Sequence, residues 1–375
     1  MPRLAFVVNN ADFLVSHRLV LVKGALAAGY EVLAIAPEGP GRRTLEEAGA
    51  RFLPWRLERT GQRAHAEALS VAHLASLYAR HRPDLVHHVT IKPMLYGSLA
   101  ARLTGVRGVV NAVSGLGYVF LSSGLKAAVR RQVLGVAYRA ALSGANTRVI
   151  LQNDDDEREL RELGLLGDAK VVKIRGSGVN LAQFPERPPP TTEPPLVVLP
   201  ARMLADKGVE EFVNAARLLR ERKVPVRMAL VGGEDEGNPA GLARVTLEAW
   251  DADGVIEWWG HRADMPHVFE QAAIVCLPSY REGMPRALLE AAAMGRAIVT
   301  TDVPGCRDAV AGGAIGRLVP ARDARKLADA LEALLLNPTE RGELGRAAAL
   351  HARQNFSEDH VLDQHLQLYA ELIRG

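Results

Sequence analysis

Short runs of Val, Ile and Leu alternate with longer amphipathic stretches along almost the whole chain, and this alternation constrains the fold more than any other feature. In the first half the strand-like runs are Leu4–Val8, Glu31–Ala36, Leu85–Val89, Val109–Ala112 and Arg148–Leu151. Helical patterns fall at Ser16–Ala28, Ala64–Arg80, Leu95–Leu103 and Leu125–Leu142. Strand–helix alternation builds a parallel sheet with helices on both faces. The runs are apolar throughout rather than at every second residue, as strands covered on both faces must be.

The pattern is interrupted once, by RPPPTTEPP at Arg187–Pro195. Five prolines in nine residues continue neither a helix nor a central strand, so this stretch reads as a linker between domains. The alternation then restarts, with strand-like runs at Leu196–Leu199, Val226–Val231, Val255–Trp258, Ile274–Leu277 and Ala297–Thr300. Helical patterns follow at Val209–Glu221, Ala240–Trp250, Met265–Gln271, Arg286–Met294 and Ala324–Leu336, with a last helix at Glu358–Ile373. The expectation is an α/β protein of two Rossmann-like domains, residues 1–185 and 196–355, facing each other across a ligand-binding cleft. Residues 356–375 are expected to form a helix that crosses back to the first domain.

Composition narrows the function. The chain is 48% apolar and 24% charged, as in ordinary globular proteins. It has no run long enough for a transmembrane helix, and its first apolar run is too short for a secretion signal, so a cytoplasmic location is expected. Cys276 and Cys306 lack metal-ligand spacing. The net charge of +3 hides an asymmetry: residues 1–150 hold 19 Lys+Arg against 8 Asp+Glu, and the remainder 27 against 35. A basic first half points to an anionic partner. With no nucleic-acid reading motif, a membrane surface or a phosphate-bearing acceptor fits better than nucleic acid. The interleaved apolar and basic residues of 115–142 could dock on an anionic membrane or form a core helix with a basic outer face.

Two segments of the second half carry chemistry. In SYREGMPRALLEAAAMG, Ser279–Gly295, an apolar run passes into a helix whose first turn tolerates Pro285. Backbone N–H groups near Gly283, Met284 and Arg286 would face an anion there, where the helix dipole favours phosphate. Glu282 precedes the helix and Glu290 lies eight positions on, inside it. In LPARMLADKG, Arg202 and Lys207 follow a strand end closely enough to neutralise a diphosphate together.

The pair ARMLADKG and EGMPRALLEAAAMGRAIVTTDVPG resembles the donor-binding signature of glycosyltransferase family 4, retaining enzymes of the GT-B fold. The resemblance covers nearly the whole chain. It implies that Arg202 and Lys207 hold the donor diphosphate, that Glu282 contacts the transferred sugar and that Glu290 contacts the ribose. Gly283, Met284 and Pro285 would offer backbone donors, Leu288 or Leu289 would pack near the ribose, and Trp258 would edge the base pocket. Glu282, Lys207 and Arg202 would be the catalytic set, with no metal and no cofactor beyond a UDP-sugar substrate. VNNADFLVSHRL, HHVTIKPMLYGSLAARLTGV, NAVSGLGYVF and LQNDDDE are similar to bacterial members that extend polyprenyl-diphosphate-linked sugars, including those that add N-acetylgalactosamine. That implies Asn9 and Asn10 facing the donor, and His17, Lys92 and Ser114 on the acceptor side. It also implies a lipid-diphosphate-linked saccharide acceptor at the inner face of the membrane. The chain departs from the family in having Asn9–Asn10 where glycines are common, Ser114 or Gly115 where a histidine is common, and Ala201 for a glycine.

Other polar residues read as structural. Asp154–Asp156 have the spacing of a metal-binding carboxylate pair, but they precede the helical run ERELREL, which carboxylates stabilise at its start. His87 and His88 are adjacent on a strand and so point to opposite faces. A nucleotide-sugar 2-epimerase of the same architecture and a two-domain small-ligand binding protein are the rival readings. A dehydrogenase is disfavoured because neither half has G-x-G-x-x-G after its first strand.

Overall fold

The computed structural model describes residues 1–57, 64–113, 135–235 and 237–374. The chain divides into two units, one of residues 1–177 with 361–375 and one of residues 178–360.

The first unit is built on seven strands: β1 (Arg3–Val7), β2 (Glu31–Ala36), β3 (Arg51–Pro54), β4 (Leu85–Val89), β5 (Gly108–Ala112), β6 (Thr147–Leu151) and β7 (Lys170–Lys173). All pair in parallel, in the order β3-β2-β1-β4-β5-β6-β7. The order reverses between β1 and β4. Helix Ala11–Ala27 begins five residues before the apolar pattern predicts, because Asn10 caps it, its Oδ1 accepting from Asp12 N at 2.7 Å. Such a cap stabilises a helix by roughly 1 kcal/mol. One face of the sheet packs on this helix and on the last helix, Glu358–Arg374, from which Val361, Leu368, Tyr369 and Leu372 join Leu4, Phe6 and Leu14 in one core.

The second unit has six parallel strands: β8 (Leu196–Pro200), β9 (Arg227–Val231), β10 (Glu257–Trp258), β11 (Ile274–Leu277), β12 (Ala297–Thr301) and β13 (Arg317–Val319). Their order is β10-β9-β8-β11-β12-β13, and here the reversal lies between β8 and β11. Helices Val209–Glu221 and Ala324–Leu336 cover one face, and Arg286–Ala293 with Pro338–Asn355 cover the other.

The proline-rich stretch is not the junction between the units. It belongs to the second one, and the chain passes from one unit to the other between Ser177 and Gly178. Three contacts explain this. Val179 N donates to Phe356 O at 2.7 Å, and Phe184 packs against Phe269 with ring centroids 6.2 Å apart. The buried Arg296 guanidinium donates to the carbonyls of Arg187 and Pro188, which ties the start of the stretch to the core.

Both histidines of β4 are fully buried and face opposite sides of the sheet. His88 lies 2.8 Å from Asn111 Oδ1 and 2.9 Å from the Tyr78 hydroxyl. His87 lies 2.7 Å from the Tyr369 hydroxyl and stacks on His365, with ring centroids 5.6 Å apart. Asp154–Asp156 open helix Asp154–Glu162, which Asn153 caps. Asp154 and Glu157 share Lys173, at 2.8 and 3.0 Å. Asp154–Asp156 thus lie in the first turn of a helix, as expected, and the pairing with Lys173 is an addition that local spacing did not show.

Candidate active site

In an open parallel sheet, the crevice for a ligand opens at the carboxyl ends of the two strands where the order reverses. In the second unit these are β8 and β11. β8 runs into Ala201–Lys207, which ends in a single helical turn at Ala205–Lys207, and β11 runs into the loop 278–285. Lys207 and Glu282, far apart in sequence, therefore arrive together, with Nζ 2.6 Å from Oε1. Both side chains are largely shielded, at 16% and 15% exposure. Ser279 Oγ also donates to Glu282 Oε1, at 2.8 Å. Sequence reasoning gave Lys207 to a phosphate and Glu282 to a sugar; in the structure they bind each other.

Backbone geometry makes this approach possible. Gly208 has φ +71°, and a Cβ there would lie 2.8 Å from both the carbonyl carbon and Cγ of Pro278. Gly305, with φ +76°, presses on the backbone of Glu282 and Gly283 in the same way. Thr301 Oγ1, at the end of β12, donates to Ser279 O. The Glu282 loop is thus fixed from both sides.

Helix Arg286–Ala293 starts where the pattern places it, but Pro285 is its N-cap, with ψ 109°, rather than part of its first turn. Glu290 sits one turn in, 7% exposed and 2.7 Å from Arg286 Nε. Burial pushes the Glu290 carboxyl up, opposed by Arg286. Met284 is nearly buried against the core. Leu288 and Leu289 are fully buried in that core, so Leu288 offers no side-chain surface to a ribose and serves packing instead. Arg202 is 64% exposed and donates to Asp235 at 2.6 Å. Its guanidinium holds the Asp235 carboxyl below its usual range, second to a bond from Asn238. Trp258 is half-buried, donates from Nε1 to Gly232 O at 3.0 Å, and has the Arg244 guanidinium 5.4 Å over its ring.

In the first unit the reversal point lies at the ends of β1 and β4. Asn9 and Asn10 follow β1 after Val8, but the Asn10 side chain is used as the helix cap. His17 lies in the second turn rather than at the helix start, stacked on Phe13 at 4.3 Å with Nδ1 2.7 Å from Ser16 Oγ. Lys92 is in the first turn of helix Ile91–Thr104, 2.9 Å from Glu67. Ser114 lies outside the described residues. Sequence reading missed Thr90, which follows β4 with φ +76° and a buried Oγ1 that has no hydrogen-bond partner among the described residues. A β-branched residue at such a φ is strained by about 1–3 kcal/mol. Ser279, Asp235 and Tyr280 were also missed, since nothing in their local spacing marks them.

Residues 194–337 match the family described as glycosyl transferases group 1, and residues 3–153 match glycosyl transferase 4-like. The chain belongs to the family 4-like glycosyltransferases. The N,N'-diacetylbacillosaminyl-diphospho-undecaprenol alpha-1,3-N-acetylgalactosaminyltransferase of Campylobacter jejuni is 27% identical over the full length of both chains. A D-inositol 3-phosphate glycosyltransferase of an Arthrobacter species is 29% identical over 77% of this chain and 71% of its own. Among solved structures, sucrose-phosphate synthase of Thermosynechococcus elongatus superposes with TM-score 0.80 at 20% identity, covering both chains fully. Anabaena Alr3699/HepE, solved in complex with UDP and glucose, superposes with TM-score 0.77 at 18% identity, over 99% of this chain and 100% of its own. The fold of this glycosyltransferase is thus GT-B.

Proposed function

We propose that this glycosyltransferase moves an N-acetylhexosamine from a UDP-sugar onto a polyprenyl-diphosphate-linked saccharide, with retention of anomeric configuration and without a metal. The observation that carries this reading is the Lys207–Glu282 pair at the switch point of the second unit, beside the start of helix Arg286–Ala293. Charge builds on the leaving diphosphate as the glycosidic bond breaks. Lys207, Arg202 and the first N–H groups of that helix supply positive charge for it, the task a divalent ion performs elsewhere. Lys207 is then shared between Glu282 and the diphosphate, and Glu282, held by Ser279, orients the sugar. The leaving phosphate oxygen takes the acceptor's proton on the same face, which gives retention. Glu290 accepts from the ribose hydroxyls in this scheme, a role that its carboxylate one turn into the helix supports.

The acceptor class rests on full-length similarity to the Campylobacter enzyme, whose name gives a diphospho-undecaprenol acceptor. Peripheral attachment at the inner membrane face rests on the basic first half and on Leu99, Leu103 and Val136, which stand 49%, 69% and 60% exposed. Among the described residues no helix is long and apolar enough to cross a membrane. The test is transfer from UDP-N-acetylgalactosamine to N,N'-diacetylbacillosaminyl-diphospho-undecaprenol in EDTA, with the product anomer read by NMR. An α-linked product supports the reading; a β-linked product, or strict dependence on Mg²⁺ or Mn²⁺, overturns it.

A further inference from the structure

Tyr280 sits two residues before Glu282 and is used by neither the diphosphate nor the sugar in the scheme above. It nevertheless ties the two halves of the site together. Its backbone N–H donates to Asp206 O at 2.9 Å, next to Lys207. Its hydroxyl donates to Glu211 Oε1 at 2.7 Å, in the first turn of helix Val209–Glu221, which begins two residues after Lys207. Among the described residues the other oxygen of Glu211 is buried and has no hydrogen-bond partner, so the phenol is the donor seen on this carboxylate. The Arg322 guanidinium, just past β13, covers the ring at 4.4 Å. One side chain thus joins the loop from β11, the turn after β8 and the turn after β13.

We propose that Tyr280 is a positioning residue for glycosyl transfer, and that its bond to Glu211 sets the register between the loop carrying Glu282 and the turn carrying Lys207. The inference rests on reading Lys207 and Glu282 as the donor site. Removing one hydroxyl leaves the ring, its backbone bond and the Arg322 contact in place, so the loop keeps its fold but loses the tie to the helix. A small misplacement of groups that act on a transition state costs turnover more than ground-state binding.

The experiment compares Tyr280→Phe and Glu211→Gln with the wild-type enzyme, using UDP-N-acetylgalactosamine and a polyprenyl-diphosphate-linked monosaccharide, with crystal structures of all three. Tyr280→Phe is expected to lower kcat about tenfold while KM for the donor changes less than about threefold. The crystal should show Lys207 Nζ and Glu282 Oε1 drawn apart from their 2.6 Å contact. Glu211→Gln, which keeps an acceptor for the phenol, should hold kcat within about twofold of wild type. A merely structural role would lower the melting temperature of Tyr280→Phe and leave kcat of the folded enzyme unchanged. That result, or an unchanged Lys207–Glu282 contact in the variant crystal, overturns the proposal. A wild-type enzyme inert toward this donor would sink the functional reading instead, while the variant crystal would still decide whether Tyr280 sets the pair.

Discussion

Gly208→Ala should disable this glycosyltransferase without unfolding it, and the size of the effect follows from two terms. Gly208 has φ +71°, a conformation that costs an L-residue roughly 1–2 kcal/mol. The added Cβ would also stand 2.8 Å from two Pro278 carbons and closer still to the carbonyl oxygen, where ordinary contact begins near 3.4 Å. The loop must retreat from the turn that carries Lys207. A displacement of roughly 1 Å at a reacting centre costs on the order of 100-fold in rate, so kcat should fall about that much. The strain alone predicts a fall in melting temperature of roughly 2–4 °C per kcal/mol. Gly254→Ala is the control: its φ is +62° and nothing lies within 4 Å of the added Cβ, so it carries the strain without the clash. Steady-state kinetics and thermal melts on both variants decide the matter. Wild-type kcat in Gly208→Ala, or an equal loss in Gly254→Ala, would refute the close-approach argument.

Further outcomes follow from the same geometry. Lys207→Ala and Glu282→Ala should each lower turnover by more than about tenfold, as losses of charge stabilisation do, with circular dichroism unchanged; near-normal turnover in either would remove that residue from the site. Arg296→Leu should destabilise the second unit by about 3 kcal/mol, since buried charged hydrogen bonds to the Arg187 and Pro188 carbonyls are lost. Urea melts should report that loss, and wild-type stability in the variant would contradict the anchoring. Burial holds His88 at about 4 and His365 at about 3. The unfolded chain protonates near 6.5 and binds more protons below that value, so stability is full above it and falls with pH down to the folded values. The loss is about 2 kcal/mol per histidine at pH 5. Urea melts should show a weaker pH dependence in His365→Gln; an identical dependence would show that this histidine does not report on acid stability.

The fold class was legible because buried parallel strands leave continuous apolar runs, and the β8 and β11 ends could be placed by those runs alone. Three of the four edge strands were not legible: β3, β7 and β13 are three or four residues long and partly exposed, and unlike β10 they were not marked out by an adjoining apolar run. The unit junction was misread because prolines signal only where a helix or central strand cannot run; anchoring by Arg296 depends on a contact more than a hundred residues away. Arg202, Lys207, Glu282 and Glu290 were visible as residue types next to strand and helix ends. That Lys207 meets Glu282, while Leu288 turns into the core, depends on helix phase and on glycine-permitted approach, which local spacing does not encode.

The central claim is that the second unit grips a nucleoside diphosphate through Lys207 and Arg202. Calorimetric titration of UDP in EDTA, into wild-type protein, Lys207→Ala and Arg202→Ala, tests it most directly. Binding to the wild type should saturate, and each variant should bind at least about tenfold more weakly, the loss expected when a charged hydrogen bond to phosphate is removed. Equal affinity in all three proteins would contradict it.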